Sequence, residues 1–268
     1  MRHRALLLLL CSSAAAAQTA APEEVPLEAP YWSQGEARPF LALDAEAGAH
    51  LRAIVSAGYG KPHWLWGGVE AYAFETLDFG ALYAGVRASL LVADLQLGVR
   101  RIFSRTHGSL LAAPSHTLAA FEDAPDLDYT TLTADLSGGL PVPGGYAIYE
   151  FEALHATDLA AGQELLEEWD HVVTASSLLA VRLGYLYEWK KLKIGPMADL
   201  TATFGRGDTI RIGGVASFAL TNHLDIAGLL LIPVQSPDDL GFKGTFGSLR
   251  LRWQWATGEA RPGFGSFR

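Results

Sequence analysis

The stretch EALHATD, Glu152 to Asp158, places an imidazole, a hydroxyl and a carboxylate within four positions. His155 is a candidate general base, and Thr157 carries a hydroxyl that a neighbouring base could activate for attack on a carbonyl carbon. On an extended strand, side chains alternate with period two, so His155 and Thr157 share one face and Glu152 lies on the other. A strand beginning near 171 would add His171 and Ser177 on one face of its own. The competing expectation is an ordinary histidine beside a polar loop, with the chemistry absent.

Other stretches are weaker candidates. RGD, Arg206 to Asp208, spells a tripeptide that can serve cell adhesion, yet Gly and Asp suit a tight turn without any partner. FEDAPDLD, Phe121 to Asp128, offers carboxylates to a hard cation, but its spacing matches no calcium loop and Pro125 interrupts it. His63, His107, His116 and His223 are scattered, so no metal site is expected. No phosphate-cradling glycine loop, nucleotide fingerprint or Ser-His-Asp arrangement stands out, and no cofactor is expected.

These residues need elements to hold them, and the chain supplies strands. Residues 1–20 are expected to form a secretory signal peptide: Arg2 and Arg4 precede ALLLLLCSSAAAA, and small residues offer cuts after Ala17 or Ala20. Cys11 is the one cysteine, so the mature chain has no disulfide framework. Removal of the signal takes away Arg2 and Arg4 and no acid, moving the net charge from −9 to −11 and disfavouring nucleic acid as a partner. Residues 21–37, rich in proline and acid, read as a flexible lead-in, and 257–268 as a tail.

From Arg38 onward the signal is alternation, in about twelve segments, an even number of the kind closed membrane barrels use. They fall at 38–47, 51–60, 63–75, 80–92, 95–105, 129–142, 146–157, 171–189, 192–205, 209–220, 224–235 and 242–256. DLAAGQELLEEWD, Asp158 to Asp170, reads as a short helix inside a loop. Pro196 within a strand should be accommodated by a bulge.

The apolar face survives the tight turns, as it must if one sheet surface is apolar throughout. With Ala93 and Asp94 as a turn, Leu82, Ala84, Val86, Ala88, Leu90 and Val92 lead to Leu95, Leu97 and Val99. In YLYEWKKLKIG, Tyr185, Tyr187 and Trp189 lead across Lys190 and Lys191 to Leu192 and Ile194. Across TNH, Thr221 to His223, Phe218 and Leu220 lead to Leu224 and Ile226.

The opposite face decides between a soluble sandwich and a barrel in lipid. It carries Asp44, Glu46, Arg52, Glu70, Arg87, Arg100, Asp135, Glu150, Glu152, Arg182, Asp199, Arg211, Asp225, Arg250 and Arg252, with many Ser, Thr and Gly. A mixed-sign surface of this kind suits a water-filled or ion-paired lumen, with pairs such as Glu150 or Glu152 with Arg182. Aromatics near strand ends, Tyr59, Tyr185, Tyr187, Trp189, Trp253 and Trp255, suit a membrane interface. The two longest connections, about 106–128 and 158–170, fall on one side, with the short GAH near 48–50 and GRGD near 205–208 among them, and all connections on the other side are short.

Over nearly the whole mature chain this pattern resembles the bacterial outer-membrane β-barrel class. The last strand, GSLRLRWQWATG, resembles the C-terminal signal of such proteins, although residues lie beyond it and the chain ends on Arg268. The resemblance implies an all-β, antiparallel up-and-down transmembrane barrel over 38–256, set in outer-membrane lipid and inserted by the outer-membrane assembly machinery. It implies a non-enzymatic small-solute channel or a structural or surface protein, with the fifteen charged residues lining the pore and the oligomeric state open. EALHATD also resembles the His-x-Ser-Asn pattern of outer-membrane phospholipases and lipid A deacylases, with Thr157 in the serine position and Asp158 after it. That second reading implies a lipid hydrolase using His155, Thr157, His171 or Ser177. A third is a soluble secreted β-sandwich or lipocalin-like binder.

Overall fold

The computed structural model describes residues 36–61, 65–167, 171–202, 206–221, 223–240 and 245–257. The expected signal peptide and nearly all of the lead-in and tail lie outside them. In chain order the strands are β1 (Arg38–Gly48), β2 (Leu51–Lys61), β3 (Leu65–Glu75), β4 (Phe79–Ser89), β5 (Ala93–Leu111), β6 (Asp126–Val142) and β7 (Gly145–Ala156). Next come β8 (Gln163–Glu167), β9 (His171–Val173), β10 (Ser177–Trp189), β11 (Leu192–Ala202), β12 (Thr209–Ala219), β13 (Leu224–Gln235) and β14 (Phe246–Ala256). A short helix, α1 (Leu118–Glu122), sits between β5 and β6, its first turn capped by Thr117, whose side chain accepts from the Ala120 amide.

Twelve of these strands close into one antiparallel barrel. Each pairs with its neighbour in sequence, β7 pairs directly with β10, and β1 closes the ring on β14 through pairs such as Ala45↔Trp253. Closure leaves no sheet edge, which is what lipid demands of a spanning sheet. The outer face is apolar: Leu51, Val55, Val69, Leu97, Leu183, Ile212, Leu230 and Leu249 are all more than 40% exposed. The inner face holds buried charge, Glu46, Glu70, Arg100, Asp199, Arg211 and Arg250 among it. This inversion of the soluble pattern makes the chain an outer-membrane-type barrel and sets aside the soluble sandwich.

One end carries short turns, and the other carries the long loops together with the two-residue connection Ala49–His50. At the turn end lie Leu91 and Val92, Pro143 and Gly144, and Lys190 and Lys191. Tyr59, Tyr187, Trp189, Trp253 and Trp255 are exposed near that end and form an aromatic girdle. The stretch YLYEWKKLKIG folds as read, with Trp189 opposite Leu192, Tyr187 opposite Ile194, and Lys190 at a positive φ of 57° in the turn.

Four expectations are corrected. The turn after β4 is Leu91–Val92, closed by Leu90 and Ala93, because Asp94 is pulled into the wall by Arg87 through hydrogen bonds of 2.8 and 3.0 Å. The displacement is two residues, so Ala88 pairs with Leu95 in place of Val99 and the faces are unchanged. Pro196 causes no bulge: β10 and β11 skip pairing at Tyr185 and Leu186 and resume in the same register. The described part of the stretch, 158–167, is not helical, since Gln163–Glu167 is a strand; Glu168 to Asp170 lie outside the described residues. The eighth wall strand begins at Ser177 and not at 171, because His171–Val173 belongs to an inward hairpin.

Candidate functional site in the lumen and at the loop-end rim

Strand alternation delivers the inward charges, and cross-strand register sets their partners. Glu46 on β1 meets Arg52 on β2 at 2.7 Å and Arg250 on β14 at 3.5 Å, with His50 at 3.5 Å. Arg87 on β4 joins Glu70 on β3 at 2.5 Å and Asp94 on β5 at 2.8 Å, while Ser56 donates to Glu70 at 3.0 Å. Arg182 on β10 reaches Glu150 on β7 at 3.0 Å and Asp199 on β11 at 3.7 Å, and Asp199 is also 3.4 Å from Arg211 on β12. Arg252 and Asp225 pair at 2.9 Å. Asp135 and Glu152 are register partners across β6 and β7, and Asp44 is opposite Gln254. Pairing of this kind is what allows charge to sit out of bulk water.

The wall is not polar throughout, which alternation alone did not reveal. Ile148, Leu186, Met197, Val215, Leu229 and Leu231 form a buried apolar cluster on the inner face of β7 and β10 to β13. Residues of this inward set alternate with lipid-facing apolar neighbours, so the local sequence is apolar on both faces and gives no inward signal.

Across the loop end lies the β8–β9 hairpin, folded into the barrel. Its Leu165 and Val173 pack with Phe74, Ile102, Tyr129, Leu154 and Leu178 of the inner wall. Glu167 pairs with Arg100 on β5 and accepts from the Tyr129 hydroxyl at 3.0 Å. His171 Nε2 is 3.4 Å from Asp199 and 2.7 Å from Arg211. The other side of the hairpin faces the loops, where Leu166 and Val172 pack with Phe121 of α1 and Leu240. Glu164 accepts from Arg206 at 2.9 Å and lies 2.6 Å from His116 Nε2. Asp238 binds Arg206 and accepts from the His116 amide at 2.7 Å. Four loops therefore meet in one buried knot.

This arrangement corrects one candidate assignment and places another. His171 is buried in the lumen and does not share the lipid face with His155. The Arg206 side chain of the RGD stretch is held by Glu164 and Asp238, while Gly207 and Asp208 are exposed. His63 lies outside the described residues. Among the described residues no group of three or more His, Cys, Asp and Glu is arranged to hold a metal ion. The hairpin anchors Glu164 and Glu167 escape sequence reasoning because, in QELLEEW, they resemble the solvated face of a helix.

A second polar site lies outside, on the loop-end rim. His155 is exposed, and its Nδ1 is 3.0 Å from Ser177 Oγ on the adjoining strand, where the two are register partners. The Thr157 hydroxyl is turned to the Thr130 carbonyl at 3.3 Å, so Ser177 is the hydroxyl beside the imidazole. Asp158 accepts from the Thr130 amide at 2.9 Å and pairs with Arg101 at 2.8 Å. Hydrogen bonding with Thr130 above all, then the Arg101 charge, holds the Asp158 carboxyl below the usual carboxylate range.

Among solved structures the chain is similar to CdiB from Acinetobacter baumannii, at 7% identity and a TM-score of 0.43, over 82% of this chain and 60% of that one. It is also similar to the NanC porin, at 8% identity and a TM-score of 0.37, over 83% of this chain and 100% of that one. A third is the beta domain of the Bordetella autotransporter BrkA, at 11% identity and a TM-score of 0.37, over 82% and 99%. The chain thus spans about three fifths of the CdiB chain it matches. No protein-family model matches the chain, and no curated protein sequence does.

Proposed function

We propose that this chain is an outer-membrane channel for small solutes, occluded by its own β8–β9 hairpin. The aromatic turn end faces the periplasm and the loop end faces outside, as in barrels of this kind. The observation that supports channel over scaffold is the division of labour inside the barrel. The occluding element is a loop segment, while the wall keeps inward charges of its own: Glu46, Arg52, Arg250, Arg252, Asp225, Glu150 and Arg182. Ion pairs are an expensive way to fill a purely structural interior, which apolar side chains fill at least as well. Charges of both signs suit a wall that meets hydrated solutes.

Planar-bilayer recording tests this. The chain with Gln163–Val173 replaced by a short Gly-Ser linker should show larger conductance steps than wild type. A deletion variant that folds, shown by a gel mobility that changes on boiling, yet never conducts would sink the channel reading.

The His155–Ser177 contact favours a second reading, a lipid acyl hydrolase at the outer-leaflet rim. His155 Nδ1 would take the Ser177 proton as Oγ attacks the ester carbonyl, then return it to the leaving alcohol; water would release the acyl group by the same path. Fatty-acid release from phospholipid vesicles that is lost in both Ser177→Ala and His155→Ala supports it. No release by the wild type removes it.

A further inference from the structure

The β8–β9 hairpin enters and leaves the lumen through two turns. On the way in, the Gln163 amide donates to the Ala160 carbonyl at 3.0 Å, and Gly162 has a φ of 78°. On the way out, the Ser177 amide donates to the Thr174 carbonyl at 3.0 Å, and both central residues are left-handed, Ala175 at a φ of 49° and Ser176 at 59°. A two-residue turn with two positive φ angles is the geometry Asn-Gly adopts readily. Ala and Ser adopt it only at a cost, because Cβ crowds the backbone. Strain of this kind persists where surrounding contacts over-determine it, and it gathers at switch elements.

The strained turn is held on one side by β7, whose Ala156 amide donates to the Ser176 carbonyl at 2.7 Å, and on the other by the docked hairpin. Glu164 is bound by His116 and Arg206, and Asp238 completes the knot. Inside the lumen the wall holds the hairpin through Glu167 with Arg100 and Tyr129 and through His171 with Asp199 and Arg211, yet the ring does not depend on it. β7 and β10 pair continuously from Gly145↔Tyr187 to His155↔Ser177, so the barrel is closed behind it. Among the wall ladders, withdrawal would give up the β5 to β8 pairing at Ser109, Leu110 and Leu111. The twelve-strand ring itself would stay intact.

We propose that the β8–β9 hairpin is a displaceable gate, latched inward by the His116–Glu164–Arg206–Asp238 knot and loaded by the left-handed turn at Ala175 and Ser176. The turns at 160–163 and 174–177 are its hinges. This rests on the channel reading for its consequence, but the movement itself has a separate readout.

Two variants push the gate in opposite directions. Glu164→Gln weakens the latch, and its open fraction in planar bilayers should rise roughly tenfold, the scale of one lost charge-assisted hydrogen bond. The double variant Ala175→Asn with Ser176→Gly relaxes the turn while the hairpin stays docked, and its open fraction should fall below wild type. Movement is read independently by maleimide labelling of Val173→Cys, a position fully buried against the wall. Labelling should be faster in the Glu164→Gln background and slower in the Asn-Gly background. Equal labelling rates in all three backgrounds overturn the gate, whatever the conductance. Rates that differ as expected beside a silent hairpin-deletion variant leave the gate standing and overturn the channel.

Discussion

Arg211 on β12 places a guanidinium nitrogen 2.7 Å from the Nε2 of His171 on β9. A guanidinium can only donate, so His171 must accept at Nε2 and carry its ring proton at Nδ1. The same guanidinium is 3.4 Å from Asp199, which binds the hairpin to the wall through a three-residue junction. The inward fold of the hairpin is therefore written partly in strands that come after it in the chain.

Arg211→Ala should cost about 3 kcal/mol of stability, the scale for stripping one partner from a buried ionic group. Asp199 and His171 are left facing each other, with the more distant Arg182 for compensation. The temperature at which the folded gel band disappears, measured in detergent, checks this. A shift indistinguishable from that of an exposed substitution such as Lys191→Ala would contradict it.

Arg182 serves two carboxylates, Glu150 and Asp199, so removing it and removing Glu150 should not be symmetrical. Arg182→Met strips a partner from both carboxylates and should cost about 3 kcal/mol, whereas Glu150→Gln should cost about 1 kcal/mol. Urea titration of both variants folded into lipid vesicles gives the ordering. Glu150→Gln proving the more damaging would mean that Arg182 gains nothing from its second carboxylate.

Leu97 lies on the lipid face of β5, between Val86 and Ala134 in register and away from both barrel ends. Leu97→Arg should cost about 2–4 kcal/mol, as charge near the bilayer midplane does, while Trp189→Arg at the girdle should cost less than about 1 kcal/mol. The same vesicle titration reads both. Equal costs would place Leu97 outside the membrane.

Asp158 tests the rim through pH. Its carboxyl is held below the ordinary range by Thr130 and Arg101, so the tie is fully present above the unfolded value of about 3.9 and is lost as pH falls through the lower folded value. Protease cleavage at 157–162 should rise in wild type only under that acid condition. In Asp158→Asn it should be raised at every pH.

Much of the wall was legible because its chemistry is local. Strand alternation, the charges of one face and the segregation of loop lengths depend on neighbours in sequence, and a two-residue error at Leu91 and Val92 did not move any side chain to the wrong face. The hairpin was not legible. Leu165 and Leu166 face opposite ways into two different apolar clusters, so the doublet has neither a period of two nor one of 3.6 to mark it. His171 looks like a wall residue because HVV keeps step with the alternation from Ser177 onward as well as a wall strand would. Its true position is set by Arg211, forty residues later, and distance of that sort leaves no trace in a local pattern. At the rim, His155 was legible as outward, but its hydroxyl partner was decided by register between β7 and β10, which chose Ser177 over the nearer Thr157.

The hairpin's partners lie on both sides of it in the chain. Arg100 and Tyr129 precede it in the chain, while Asp199 and Arg211 come after it. The seat of the hairpin is therefore complete only where strands from both halves of the ring stand together, and a partial sheet offers half of it.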